Sequence, residues 1–409
     1  MLVLLVGTLD TKGHELAFVR ELLVAQGLEV VVIDAGSAGE PVFAPDIGRE
    51  EVFRYAGATV AALGRRADRG EAVAAAARGV AALVVDLGSR RRIDGILSIG
   101  GSAGTVIGTA GMRALPFGLP KVMVSTLASG QTRPFVGGSD ILMLHPVADI
   151  AGLNRLTRVA LANGAHALAG MVKFRRREAP ATPERPLVAA TMFGVTTPCI
   201  DRARRQLEDR GVEVLVFHAT GVGGQAMEGL VRDGQIAGLL DLTTTELADE
   251  LVGGILSAGP DRLEAAVRKG IPQVVSVGAL DMVNFGPRET VPERFASRQF
   301  HRHNPVVTLM RTTAEENAAI GKRMASILRG AVAPVVVMVP ERGVSALDAP
   351  GHPFYDPVAD GALFDALAGG LADSGQVRIE RRDEHINDPA FADAAARTLA
   401  GLLGIESTG

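Results

Sequence analysis

One pattern recurs along this chain: a short aliphatic run, a polar loop rich in glycine, then an amphipathic helical stretch closed by glycine. Residues 2–6 read as a strand, 14–25 as a helix that Gly27 ends, and 28–34 as the next strand. Further strands are expected at 95–99 and 121–125, with helices over 49–66, 71–89 and 103–113 and a short edge strand at 141–144. Strands that read as unbroken apolar runs, separated by helices, point to βαβ units and a parallel sheet covered on both faces. The helical period over 154–171 closes this first domain, and the basic run from Lys173 to Arg177, followed by Pro180 and Pro183, reads as a linker.

The pattern then restarts. Strands are expected at 187–192, 212–217, 236–242, 273–277, 306–310, 335–339 and 376–380, a final helix at 391–403, and a frayed end from Glu406. The fold class is therefore α/β in two domains, 1–172 and 187–409, joined by a linker over 173–186. Each is an open, mainly parallel sheet flanked by helices, with ligands expected at the carboxyl ends of the strands. Val6-Gly7-Thr8 with Gly27-Leu28 finds an echo in Phe193-Gly194-Val195-Thr196 with Gly211-Val212. Two similarly wound domains are one reading of that echo; the generic look of any βαβ unit is the other.

At 409 residues the chain exceeds what a single hydrophobic core organises. Hydrophobic residues make up 47% but aromatic ones only 4%, so the cores must be aliphatic and alanine-rich. A net charge of −4 gives no general reason to bind nucleic acid. No basic segment precedes the first strand and no uncharged apolar run approaches the ~20 residues of a membrane span, so a cytoplasmic protein is expected. Cys199 is the only cysteine, which excludes an internal disulfide. It follows Pro198 at a helix start, where the helix dipole favours a thiolate, yet a buried, inert thiol is the expected state.

The loops after the strands are rich in small polar residues. Gly7-Thr8-Leu9-Asp10-Thr11-Lys12-Gly13 is not a Walker A loop, because Lys12 precedes Gly13 and His14 follows. It still offers Lys12 as a charge for phosphate, the hydroxyls of Thr8 and Thr11, and Asp10 as a Mg²⁺ ligand through water. The alternative is that Asp10 or Thr11 merely caps the first helix. Gly100-Gly101-Ser102-Ala103-Gly104-Thr105 opens a helix and so presents free amides to an anion, and Thr126 stands at the next strand end.

In the second domain Gly221-Val222-Gly223-Gly224-Gln225-Ala226 fits Gly-x-Gly-x-x-Ala, with Asp241 ending the following strand. His218-Ala219-Thr220 separates strand from glycine, so a plain anion-binding or helix-opening loop at Gly221, Gly223 and Gly224 is expected before a dinucleotide site. Thr243 or Thr244 is the expected cap of the next helix. Residues 279–305 form a long polar stretch with little helical period, of the kind that carries function. Asp281, His301 and Glu246 are the acid/base candidates there and nearby, for an acidic or phosphorylated metabolite in a cleft between the domains.

Four motifs in order, 7–13, 218–224, 241–246 and 281–286, resemble the family of the ATP-binding N-terminal half of the tomato mosaic virus resistance protein and its bacterial relatives. The resemblance spans nearly the whole chain. It implies two Rossmann-like domains with ATP or ADP in the first, and makes Gly7, Thr8, Asp10, Thr11, Lys12, Gly100, Gly101, Ser102 and Thr126 the nucleotide contacts. The leading expectation is an ATP-binding protein with Mg²⁺ and slow hydrolysis. A metabolite enzyme and a nucleotide-gated interaction protein are the rivals, and a homo-oligomer is expected on the habits of such folds.

Overall fold

The computed structural model describes residues 1–60, 69–130, 132–175 and 185–405, and divides the chain into two compact units, 1–182 and 183–409. In the first, β1 (Leu2–Gly7), β2 (Glu29–Asp34), β3 (Gly95–Gly100), β4 (Lys121–Ser125) and β5 (Leu142–Leu144) form one sheet in the order β2-β1-β3-β4-β5. All its pairings are parallel. Among the described residues the helices are α1 (Leu9–Ala25), α2 (Arg49–Tyr55), α3 (Arg69–Arg90), α4 (Ser102–Arg113), α5 (Arg133–Val136) and α6 (Arg155–Phe174).

Both faces of β1 are buried, which is why its sequence does not alternate. Val3 and Leu5 pack with Leu16 and Val19 of α1 and Leu161 and Leu168 of α6. Leu4 and Val6 face the other way, onto Val52 and Phe53 of α2, Val80 of α3 and Ile107 of α4. Each such leucine contributes about 1.5–3 kcal/mol by leaving water. Among the described residues α3 alone is long and apolar enough to cross a membrane; Ala72, Ala76, Val80 and Leu83 on it belong to this core. The helix expected over 49–66 ends at Tyr55, and its last residues, 61–66, lie outside the described ones. The linker's 176–184 and the expected frayed end from 406 do so too.

The second unit has β6 (Leu187–Met192), α7 (Thr197–Glu208), β7 (Glu213–His218), α8 (Val222–Arg232), β8 (Gly238–Thr243), α9 (Glu246–Val252), α10 (Glu264–Lys269) and β9 (Gln273–Gly278). Then come β10 (Met282–Phe285), β11 (Phe300–Asn304), β12 (Val307–Arg311), α11 (Ala314–Leu328), β13 (Val335–Pro340), α12 (Pro357–Leu371), β14 (Val377–Arg382) and α13 (Pro389–Leu402). The main sheet runs β14-β13-β9-β8-β6-β7, again parallel throughout. Its first strand lies between its second and third, as in the first unit, so the echo between residues 6–32 and 193–216 reflects a shared winding.

The stretch 279–305 is not an open loop. β10 and β11 pair antiparallel with β12 in a separate sheet ordered β10-β12-β11, so the strand expected at 306–310 belongs there and not to the main sheet. Sparse apolar anchors fix it: Phe285 and Phe295 meet with ring centroids 5.6 Å apart and planes tilted by 47° and, with Val291, join the unit's main core. Cys199 is buried in the core between β6, α7 and α13, and burial pushes its thiol up to about 12, the inert state.

Candidate functional site

In the first sheet α1 leaves β1 toward one face while α4 leaves β3 toward the other, so a crevice opens between the two strand ends. A cavity of about 680 Å³ occupies it. Thr8, Asp10, Thr11 and Lys12 line one side, Gly100 through Gly104 another, and Ala72, Val73, Ala76 and Ile107 form an apolar wall. Arg69 and Asp149 complete the rim.

The segment 7–13 is less of a loop than its glycines suggest, because α1 begins at Leu9. Its cap comes from the neighbouring strand: Asp34, ending β2, accepts from the amides of Leu9 and Gly36, both at 2.9 Å. The other Asp34 oxygen takes Arg49 Nε at 3.1 Å. Neither Asp10 nor Thr11 caps the helix. Thr11 Oγ1 instead lies 2.7 Å from Thr8 Oγ1, and Asp10 Oδ2 accepts from the Ala38 amide at 2.9 Å. Asp10 Oδ1 is buried without a partner among the described residues. The helix leaves regular geometry at Lys12 (φ −129°, ψ 20°), whose ammonium donates to the Ile150 carbonyl.

Across the crevice Gly101 caps α4 with no side chain, leaving the first-turn amides of Ser102, Ala103 and Gly104 at the cavity wall. Glycine is needed here for close approach: a Cβ on Gly100 would sit 2.9 Å from Gly104 Cα. Two expected contacts lie off the lining. Gly7 is covered by Leu16, whose side chain a Cβ would meet at 2.4 Å, and Thr126 ties its amide to the Gly100 carbonyl at 3.3 Å. Arg69, Asp149 and the methyl wall were not legible from sequence. None stands in a motif, and they meet the strand ends only through the fold.

The glycine loop of the second unit is already occupied by the protein's own anion. Glu246 Oε1 accepts from the amides of Gly221 (2.7 Å) and Gly224 (3.1 Å). Its Oε2 takes Arg262 Nε at 2.7 Å, and Arg262 also grips both oxygens of Asp241 at 2.5 and 2.7 Å. Glu228 completes the group, accepting from the amides of Leu263 and Ala265 at the start of α10. Arg262, Asp241 and Glu246 are fully buried or nearly so; burial raises the Glu228 and Glu246 carboxyls, and Arg262 draws them back down. Gly221 (φ +86°) and Gly223 are required by backbone geometry, the latter because a Cβ would lie 1.8 Å from the His218 carbonyl oxygen. Thr245, not Thr243 or Thr244, precedes α9; Thr243 bonds Thr196 at 2.8 Å and Thr244 the Ser276 carbonyl.

The three acid/base candidates stand in separate networks. Glu246 belongs to the Arg262 group. Asp281 is fully buried, accepts from Ser345 Oγ at 2.7 Å, and is pushed by burial to about 7. His301 is half-buried on β11, edge-on to Phe354 with centroids 6.2 Å apart. Among the described residues no group of three or more His, Cys, Asp or Glu is arranged to hold a metal ion.

The N-terminal model of the uncharacterised protein family UPF0261 matches residues 1–177, and its C-terminal model matches 185–403. A UPF0261 protein of Clostridium tetani is 50% identical over 98% of both chains. A second, from Rhizobium meliloti, is 49% identical over 96% of this chain and 97% of its own. The ToMV resistance protein Tm-1(GCR237) of Solanum lycopersicum is 41% identical, matching 96% of this chain and 54% of the tomato protein, so this chain spans about half that length.

Proposed function

The chain belongs to the UPF0261 family, and from the build of its first unit we propose that it binds a nucleotide, ATP or ADP, with Mg²⁺. The observation that carries this reading is the crevice between β1 and β3, where the free amides of the α4 start, Lys12 and Arg69 line one cavity together with the methyl groups of α3. Its volume of about 680 Å³ suits a ligand of nucleotide size. In this reading the phosphates lie against the first turn of α4, where the amides of Ser102, Ala103 and Gly104 and the helix dipole favour anions. Lys12 and Arg69 supply positive charge, and the flat base rests on Ala72, Val73 and Ala76. The unpartnered Asp10 Oδ1 fits a magnesium ion, which prefers one or two carboxylates with phosphate oxygens and water to an all-protein cage. A cytoplasmic location accords with such a ligand.

Titration calorimetry with ATP tests the reading. Lys12→Ala combined with Arg69→Ala should weaken binding by at least about tenfold, the loss of two charge-assisted contacts, with circular dichroism unchanged. Unchanged affinity would remove the site assignment.

A further inference from the structure

We propose that residues 145–152, between β5 and α6, form a strap at the rim of this cavity, and that Lys12 couples nucleotide occupancy to the strap's order. The inference rests on the nucleotide reading and adds its regulation.

The strap is tied at two places to α1. Near its middle the buried Ile150 offers its carbonyl to the Lys12 ammonium. At its end the Gly152 amide donates to Glu15 Oε1 at 2.7 Å, and Glu15 is itself buried. Asp149, next to Ile150, lines the cavity, so the strap is part of the site's wall. Between these ties and β5, the backbone is held where its residues do not prefer to be. Val147 has φ +68°, and the Ala148 amide closes a three-residue turn onto the Pro146 carbonyl at 2.8 Å. A β-branched residue in that region is a steric outlier, and such a turn is the strained kind. Val147 is 86% exposed, so no burial of its own side chain offsets the strain.

Lys12 is therefore a junction. An ammonium has three donors, so it can keep the Ile150 carbonyl while donating to a phosphate oxygen as a second partner. Letting go of Ile150 would strand a buried carbonyl, which is unfavourable, so the bridge persists and a bound phosphate holds the strap through it.

Hydrogen exchange of the full chain read by mass spectrometry, run beside calorimetry, tests this with ATP and Mg²⁺ as the probe. ATP should slow exchange across 145–152 severalfold. Lys12→Met should speed it severalfold without nucleotide while peptides from β3 and β4 stay unchanged. Heat of binding with unaltered strap exchange overturns the coupling and leaves the nucleotide reading standing. An absence of binding heat overturns both, and an unaltered strap in Lys12→Met removes Lys12 from the role. Should that variant fail to fold, the wild-type comparison with and without ATP decides alone.

Discussion

Asp281, Asp249 and Asp360 carry the second unit's sensitivity to pH. Burial holds their carboxyls near 7, 7 and 8, against about 4 in an unfolded chain. Arg311 bonds Asp360 at 2.7 Å and Asn284 bonds Asp249 at 2.7 Å, each opposing burial without cancelling it. Between about pH 4 and 8 the folded state then binds more protons than the unfolded one, so stability falls as pH rises. The urea midpoint of the second unit should fall steadily from about pH 4 to about pH 8, and Asp281→Asn should flatten the profile; a midpoint that climbs across that range would refute it. The polar density of these motifs was readable, but not their burial. The partners that make burial tolerable, Ser345 for Asp281 and Arg262 for Glu246, lie outside the motifs and 64 and 16 residues away. Residue type announced chemistry at Glu246 where the fold built an internal ion group.

Strands and helices were placed well by period, because two-faced burial writes an aliphatic run that short-range sequence displays. What period did not show was how neighbouring elements finish one another. The helix expected from His14 starts at Leu9, since its cap, Asp34, is supplied by β2 and leaves no signature at the helix start itself. Residues 279–305 conceal two short strands whose partner, β12, comes after them and whose side chains are polar on β11. The glycines of α8 show the same dependence. Gly223 lets the helix start close against the end of β7, with room for nothing larger than hydrogen beside the His218 carbonyl. Gly223→Ala should therefore cost about 2–4 kcal/mol in chemical unfolding, well beyond the usual surface substitution. A loss below about 0.5 kcal/mol, the ordinary surface range, would mean the start of α8 moves freely.

Each unit is wound alike, with the first strand between the second and third, yet the two treat the strand ends differently. One leaves amides and cations around a cavity; the other fills its glycine loop with Glu246 and neutralises it with Arg262. Sequence offered the common winding only as one of two readings of an echo, and could not show this contrast, because both loops are equally rich in glycine. The contrast makes Glu246 a tethered ligand, the side-chain counterpart of a free carboxylate. Glu246→Ala would leave a mould for one small acid, lined by the Gly221 and Gly224 amides and the Arg262 guanidinium, and breaking such a buried pair should cost about 3–5 kcal/mol. Formate or acetate added to that variant should restore part of its melting temperature, where chloride at equal ionic strength does not. Equal effects of the three salts would show that the loop does not discriminate a carboxylate. Chemical complementation of this kind would make one half of the molecule a calibrated anion receptor against which the other half can be measured.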